Sequence, residues 1–96
     1  MPHVERDVVV INKLGLHARP AMQFVDLANQ FTSNISVHKA AMGDEEAVDA
    51  DGKSVMQMII LAATEGTTLK IVADGDDAEK AVNDLIGLFQ SKFNEE

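Results

Sequence analysis

The chain has 96 residues with 16 acidic and 8 basic side chains, a formal net charge of −8 at pH 7 and no cysteine. A chain of this length encloses one hydrophobic core, so a single domain spanning residues 1–96 is expected. The acidic balance disfavours nucleic acid as a partner, and the lack of cysteine excludes disulfides, thiolate catalysis and cysteine-ligated zinc.

The N-terminal stretch predicts neither a signal peptide nor a membrane anchor. Glu5 and Asp7 stand where a signal peptide would carry an apolar core, and no apolar run approaches the length of a membrane span. We therefore expect a cytoplasmic protein without a membrane partner.

The first predicted elements are a strand, a turn and a helix. β-branched residues fill Val4–Ile11, which predicts a strand, and Asn12–Gly15 has the composition of a turn. Apolar residues then recur at helical spacing over Ala18–Phe31. Pro20 suits the first turn of this helix, because the amide that proline lacks would have no intrahelical partner there.

The middle of the chain predicts two strands joined by a hairpin. Ile35 and Val37 alternate with polar residues as in a half-buried strand. Met42–Glu45 has the composition of a hairpin connection, and Glu46–Ala50 alternates as a short second strand.

The next segment predicts a helix over Val55–Ala63, with Ser54 as its N-cap and Gly66 ending it. This helix is apolar nearly all round, so it must be buried on more than one side or present residues to a partner. The core is expected to take Met58, Ile59 and Leu61. A docking surface for a partner is expected at Val55, Met56 and Ile60.

The last predicted elements are a strand and a helix. The strand covers Leu69–Ala73, Asp74–Asp77 is a turn that ends in N-cap chemistry, and apolar spacing predicts a helix from Ala78 to about Phe93. The order β-α-β-β-α-β-α predicts an α+β fold, in which one mostly antiparallel sheet carries its helices on one face.

His17 lies at the junction between the first turn and the first helix, and Gly15 allows the chain to bend sharply just before it. The unpaired amides of an opening helical turn, with about half a positive charge from the macrodipole, stabilise an anion. Arg19 adds a full charge, and a guanidinium can hold two phosphate oxygens at once. The candidate anion site is therefore His17, Ala18 and Arg19.

A purely structural role for His17, packed against its own backbone, is the alternative. The nearest acids in sequence are Asp7 and Asp26, so no carboxylate flanks it. A Ser-His-Asp triad needs an orienting acid and a metal site needs further ligands, so no triad, metal or cofactor is predicted around it. The other histidines, His3 and His38, have no activating neighbour in sequence, and His38 is expected to point to solvent.

The stretch Asn12–Ala21, which reads Asn-Lys-Leu-Gly-Leu-His-Ala-Arg-Pro-Ala, resembles the histidine-containing phosphocarrier proteins (HPr) of the phosphoenolpyruvate-dependent phosphotransferase system. The likeness covers nearly the whole chain and includes Gly52–Met56. It implies an open-faced β-sandwich of four antiparallel strands under three helices. It also implies that His17 accepts a phosphoryl group on Nδ1 from phospho-enzyme I and passes it to an enzyme IIA-type acceptor, with Arg19 and the first helical amides holding the phosphate.

Ser54 resembles the regulatory serine of this family, which HPr kinase/phosphorylase modifies in some lineages, although a helix cap accounts for the residue without a kinase. Leu88–Phe93 also resembles the nitrogen-related branch of the family (NPr), so the resemblance does not imply sugar uptake. Lysines that are frequent on the family's docking face are absent here, where the chain has Gln23, Asp26, Asn29 and Gln57.

Three functions therefore stay open from the sequence. The first is a monomeric phosphoryl carrier that is not itself an enzyme. The second is a regulatory binding module that is switched by phosphorylation of His17 or Ser54. The third is a small domain in which His17 and Arg19 hold a free anion.

Overall fold

The computed structural model describes residues 2–94, and the strands within them form one four-stranded antiparallel sheet in the order β1-β4-β2-β3. The elements in chain order are β1 (His3–Val9), α1 (Ala18–Ala28), β2 (Asn34–Lys39), β3 (Val48–Asp51), α2 (Val55–Ile60), β4 (Thr68–Asp74), α3 (Ala78–Gln90) and a 3₁₀ turn (Lys92–Asn94). The predicted α+β class, with a four-stranded antiparallel sheet and three helices, is confirmed.

The hydrophobic core lies between one face of the sheet and the helices. Strand β4, paired with β1 on one side and β2 on the other, buries Leu69, Ile71 and Ala73 on this face, as a period of two requires. The rings of Phe24 in α1 and Phe89 in α3 meet edge to face, 6.0 Å between centroids. Burying a phenyl side chain stabilises the fold by about 1.5–3 kcal/mol, so these two rings fix α1 against α3.

Helix α1 ends at Ala28 and not at Phe31, three residues earlier than predicted. The amides of Gln30 and Phe31 bond to the carbonyls of Leu27 and Ala28, three residues back instead of four. The end of the helix therefore tightens into a turn of 3₁₀ type.

Helix α3 ends at Gln90, so the prediction of a helix to Phe93 is wrong at its C-terminal end. Lys92, Phe93 and Asn94 have φ of 56°, 55° and 60°, and this left-handed stretch departs from the path of the helix. The Phe93 ring packs on Phe89, 4.8 Å between centroids. Phe93 is buried and lies four residues after Phe89, so the apolar spacing is helical although the helix has already ended at Gln90.

Helix α2 covers Val55–Ile60 only, so a helix reaching Ala63 and ended by Gly66 is a wrong prediction. The chain leaves the helix after the C-cap residue Leu61, because Ala62 adopts a left-handed φ of 51°. The buried residues Met58 and Leu61 point to the core from one side of this short helix. Ile59, predicted in the core, lies about 100° further round and is 40% exposed.

Asp77 occupies the N-cap position of α3, but the predicted capping hydrogen bond is not made. Its carboxylate instead accepts hydrogen bonds from the amides of Thr32 and Ser33, at 2.9 and 3.0 Å, and from the Ser33 hydroxyl. The Ser33 hydroxyl, followed by the Thr32 amide, lowers the pKa of Asp77 to about 2. Asp77 therefore ties the loop between α1 and β2 to the start of α3.

The predicted hairpin at Met42–Glu45 is confirmed. The Glu45 amide donates to the Met42 carbonyl at 2.8 Å, and Gly43 supplies the left-handed φ of 56° inside the turn. Strand β3 then begins at Val48, two residues after its predicted start. Along residues 2–94, no helix has both the length and the apolar composition that crossing a membrane requires.

Candidate functional site

The loop that carries His17 is closed by hydrogen bonds between its own residues. The buried side-chain amide of Asn12 donates to the Gly15 carbonyl at 2.7 Å, and the Gly15 amide donates to the Asn12 carbonyl at 3.1 Å. Gly15 has a φ of 70°, and a Cβ there would lie 2.5 Å from the carbonyl oxygen of Ala63. Only glycine fits this position without a shift of the backbone.

The segment after α2 holds both ends of the same loop. The Leu16 amide donates to the Ala63 carbonyl at 2.8 Å. At the other end, the Val10 amide donates to the Thr67 carbonyl at 2.9 Å, and the Gly66 amide donates to the Val10 carbonyl at 2.7 Å. Sequence analysis missed the support from Ala63, because contacts between segments about 50 residues apart leave no local pattern.

His17 is the N-cap residue of α1, with extended backbone angles (φ −90°, ψ −166°), and its side chain makes no capping hydrogen bond. Its carbonyl accepts the first helical hydrogen bond, from the Ala21 amide at 3.0 Å. The residue is half-buried, so its side chain reaches the surface. The amides of Ala18 and Arg19 precede the first helical bond and Pro20 has none, so Ala18 and Arg19 supply the main-chain donors at this helix end.

Arg19 is exposed, two residues after His17. Within residues 2–94, no hydrogen bond or ion pair engages its guanidinium. The positive charge of Arg19, the two amides and the His17 imidazole therefore belong to one short stretch at the positive end of α1.

Ser54 is the N-cap of α2, as predicted, and its hydroxyl accepts a hydrogen bond from the Gln57 amide at 3.2 Å. The Gln57 side chain reaches back and accepts the Asp51 amide at 2.8 Å. The Lys53 ammonium donates to the Phe31 carbonyl at 2.7 Å, which joins this loop to the end of α1. The half-buried Ser54 therefore has a structural role that needs no modification.

The predicted docking residues divide into two groups. Met56 and Ile60 are exposed, 72% and 63%, whereas Val55 is half-buried and packs against the core. Three further exposed apolar side chains lie on α2, on the His17 loop and on α1, namely Ile59, Leu14 and Met22. The amphipathic pattern did not identify Leu14, because loop residues have no periodicity from which exposure can be inferred.

The other two histidines lie on the face of the sheet away from the helices, and both have polar partners. His3 contacts Glu5 and Asp74, and His38 contacts Ser36 and Asp49. The prediction that His38 points to solvent is confirmed, since its side chain is 37% exposed on this face, but the expectation that it has no activating neighbour is wrong. In the part of the chain that the structure describes, no three His, Asp or Glu side chains converge to hold a metal ion.

Comparison with known proteins gives consistent matches over nearly the full length. A family model described as PTS HPr component phosphorylation site matches residues 4–91. Phosphocarrier protein NPr of Proteus mirabilis is 38% identical over 91 residues, which is 95% of this chain and 96% of the relative. Phosphocarrier protein HPr of Pseudomonas aeruginosa is 39% identical over 95 residues, which is 99% of this chain and 98% of the relative.

The solved structures include HPr-C-His from Thermoanaerobacter tengcongensis, with a TM-score of 0.80 and 41% identity, covering 97% of this chain and 98% of that one. Phosphocarrier protein HPr from Bacillus anthracis has a TM-score of 0.75 and 37% identity, covering 91% of this chain and 96% of that one. The sequence and structure matches agree with the fold described above. The chain therefore belongs to the PTS-HPr family of phosphotransferase-system phosphocarrier proteins.

Proposed function

We propose that the chain accepts a phosphoryl group on His17 from phospho-enzyme I and transfers it to an enzyme IIA-type acceptor. The phosphorus–nitrogen bond of the donor breaks as the bond to the His17 imidazole forms, so the carrier undergoes no net turnover of its own. It serves donor and acceptor in turn, as a cytoplasmic monomer.

The observation that carries this proposal is the position of His17 at the N-cap of α1. Its side chain is not used to cap the helix, and it belongs to the same short stretch as the amides of Ala18 and Arg19 and the exposed Arg19 side chain. Phosphoryl transfer passes through a loose transition state, so catalysis comes mainly from positioning and charge neutralisation. A nucleophilic nitrogen beside two amides and one full positive charge supplies both.

The docking surface is proposed to be Met56 and Ile60 with the half-buried Val55 beside them, extended by Leu14 and Met22. These exposed apolar side chains lie on α1, α2 and the loop that carries His17. A partner that covers such a surface excludes water from the transferring phosphoryl group.

The experiment is incubation with phosphoenolpyruvate, magnesium and the cognate enzyme I, followed by intact mass at neutral and acid pH. We expect the gain of one phosphate that is stable at neutral pH, lost in acid and absent in His17→Ala. His38→Ala is the matched control and should retain the gain, because His38 lies on the opposite face of the sheet. An unchanged mass with an active enzyme I would contradict the carrier function and leave a binding module or an anion-binding domain.

A second candidate function is regulation through Ser54, with HPr kinase/phosphorylase as the partner. The half-buried hydroxyl faces the N-terminus of α2, two residues before the exposed Met56, so a phosphate there would place negative charge beside the docking surface. The test is an acid-stable phosphate formed from ATP by the seryl kinase. Ser54→Ala must lose this phosphate and Ser91→Ala must keep it. Retention of the phosphate in Ser54→Ala would end this proposal.

A further inference from the structure

The two histidines on the face of the sheet away from the helices, His3 and His38, differ in the hydrogen-bond partners of their ring nitrogens. His3 turns Nδ1 to the Asp74 carboxylate and Nε2 to the Glu5 carboxylate, 2.7 Å away. Because a carboxylate only accepts, both ring nitrogens of His3 donate, and the hydrogen bonds to Glu5 and Asp74 raise its pKa. His3 thus has a carboxylate on each ring nitrogen, and neither nitrogen faces a hydroxyl of residues 2–94.

His38 has a carboxylate on one nitrogen only. Its Nδ1 lies 2.5 Å from Asp49 Oδ1, and its Nε2 lies 3.2 Å from the Ser36 hydroxyl. Asp49 can only accept, so Nδ1 carries the proton and the lone pair of Nε2 faces the Ser36 hydroxyl. Ser36, His38 and Asp49 are therefore linked in the same way as a nucleophile, its general base and an orienting carboxylate.

The sheet itself fixes this arrangement. Ser36 and His38 are two residues apart on β2 and therefore share a face, while Val37 between them is fully buried on the other face. Asp49 lies directly opposite His38 in the register of β2 and β3. The three side chains are thus presented by two paired strands and not by a loop.

Ser36 also lines an open depression of about 460 Å³. Asn34 and Lys53 line it as well, but the Lys53 ammonium already donates to the Phe31 carbonyl at 2.7 Å, which leaves the side-chain amide of Asn34 as a donor that can polarise a carbonyl oxygen. Asp51 and Asp74 give its rim negative charge, which repels anionic substrates. The site therefore suits an uncharged ester.

We propose that Ser36 is an activated nucleophile that takes an acyl group from an uncharged, activated ester. Ser36 Oγ attacks the ester carbonyl carbon and its proton passes to His38 Nε2. The bond from that carbon to the leaving oxygen then breaks, and His38 returns the proton to the leaving alcohol or phenol. The products are O-acylserine and a free alcohol or phenol, and Asp49 is a positioning residue for His38.

The position of Ser36 in the sheet favours a single acylation over repeated turnover. Ser36 stands in the middle of β2, between strands β3 and β4, so the main-chain amides around it are used in the sheet and do not form an oxyanion hole. The deacylation step lacks a main-chain oxyanion hole for the same reason. The expected outcome is a stoichiometric adduct and not multiple turnover.

The test uses p-nitrophenyl acetate on the full chain, with peptide mapping of the acetylated residues. Hydroxylamine removes an ester on serine but not an amide on lysine, so it identifies the Ser36 product. We expect acetylation of Ser36 at least ~10-fold faster than that of Ser91, an exposed serine whose hydroxyl donates to a main-chain carbonyl. Equal rates at Ser36 and Ser91 would overturn the proposal.

Substitutions distinguish a chemical role of His38 and Asp49 from a purely structural one. His38→Gln should slow the acetylation of Ser36 by at least ~10-fold, and His3→Gln should leave it unchanged, because His3 offers no lone pair to a hydroxyl. Asp49→Asn should slow it with no loss of thermal stability, and Asp49→Glu should restore part of the rate. A rate that is insensitive to His38→Gln would refute the role of His38. Phosphate uptake on His17 is measured in parallel and should persist in Ser36→Ala, so the two proposals fail independently.

Discussion

At the scale of single residues, the His17 loop depends on one glycine that has no room for a side chain. Gly15 combines a left-handed φ of 70° with a carbonyl oxygen 2.5 Å from the position of a Cβ. Gly43 has a similar φ of 56° in open space. Substitutions at the two glycines therefore separate the free-energy cost of the backbone conformation from the cost of a steric clash.

We expect Gly43→Ala to lower the free energy of unfolding by about 1–2 kcal/mol, the cost of a left-handed L-residue. Gly15→Ala should cost more than this, because Ala63 must move, and it should also slow phosphate uptake by His17. Urea unfolding and the enzyme I reaction measure the two effects. Equal losses of stability and unchanged uptake in both variants would show that the contact with Ala63 is unimportant.

Arg19 allows a second prediction at this scale. Its guanidinium is exposed and has no ion pair among residues 2–94, so Arg19→Ala should leave the unfolding midpoint nearly unchanged. Loss of a charge-assisted hydrogen bond to phosphate costs about 1.5–3 kcal/mol, so phosphoryl transfer should slow by about 10- to 100-fold. Arg6→Ala, at an exposed arginine beside Glu79, is the matched control and should transfer normally. Transfer by Arg19→Ala at the wild-type rate would contradict this role.

At the scale of elements, α2 is the helix that depends most on its cap. It has six residues, fewer than an isolated helix needs, and the Ser54 hydroxyl satisfies one of its first amides. The same hydroxyl is the proposed site of regulation. Structure and modification therefore compete for one oxygen atom.

Ser54→Ala should lower the free energy of unfolding by about 1 kcal/mol, whereas Ser54→Asp should retain most of it, because aspartate is also a good N-cap. Urea midpoints measure both. Ser91→Ala is the control, since Ser91 follows the end of α3 and its hydroxyl bonds to the Leu88 carbonyl. A stability of Ser54→Ala equal to that of wild type would mean that the cap contributes nothing.

The contact of Asp77 with the loop between α1 and β2 predicts that the stability of the fold depends on pH in the acid range. Its pKa is lowered from 3.8 to about 2 in the folded chain. The stabilisation is therefore present above about pH 4 and is lost as the pH falls toward 2. Asp77→Asn should flatten this part of the stability profile measured by thermal unfolding between pH 2 and 5, while Asp76→Asn should leave its shape intact. A wild-type profile that is already flat in this range would contradict the assignment.

At the scale of the whole molecule, the order of the elements and the His17 motif follow from the sequence, because period, turn composition and helix-start chemistry are local. The errors concern the ends of helices and the contacts between distant segments. The helix predicted through Phe93 ends at Gln90, since the Phe93 ring finds its burial by packing back on Phe89. Asp77 has an N-cap position but partners 44 and 45 residues away, and Ser36, His38 and Asp49 meet only through strand register.

The hydrogen bonds from Ala63 to Leu16 and between Val10 and residues 66–67 mean that the histidine loop cannot move without the segment that follows α2. The proposed docking surface on α2 and the proposed phosphorylation site at His17 are therefore joined by this segment. A substitution near Ala62 that loosens the segment is expected to weaken partner binding and phosphate uptake together.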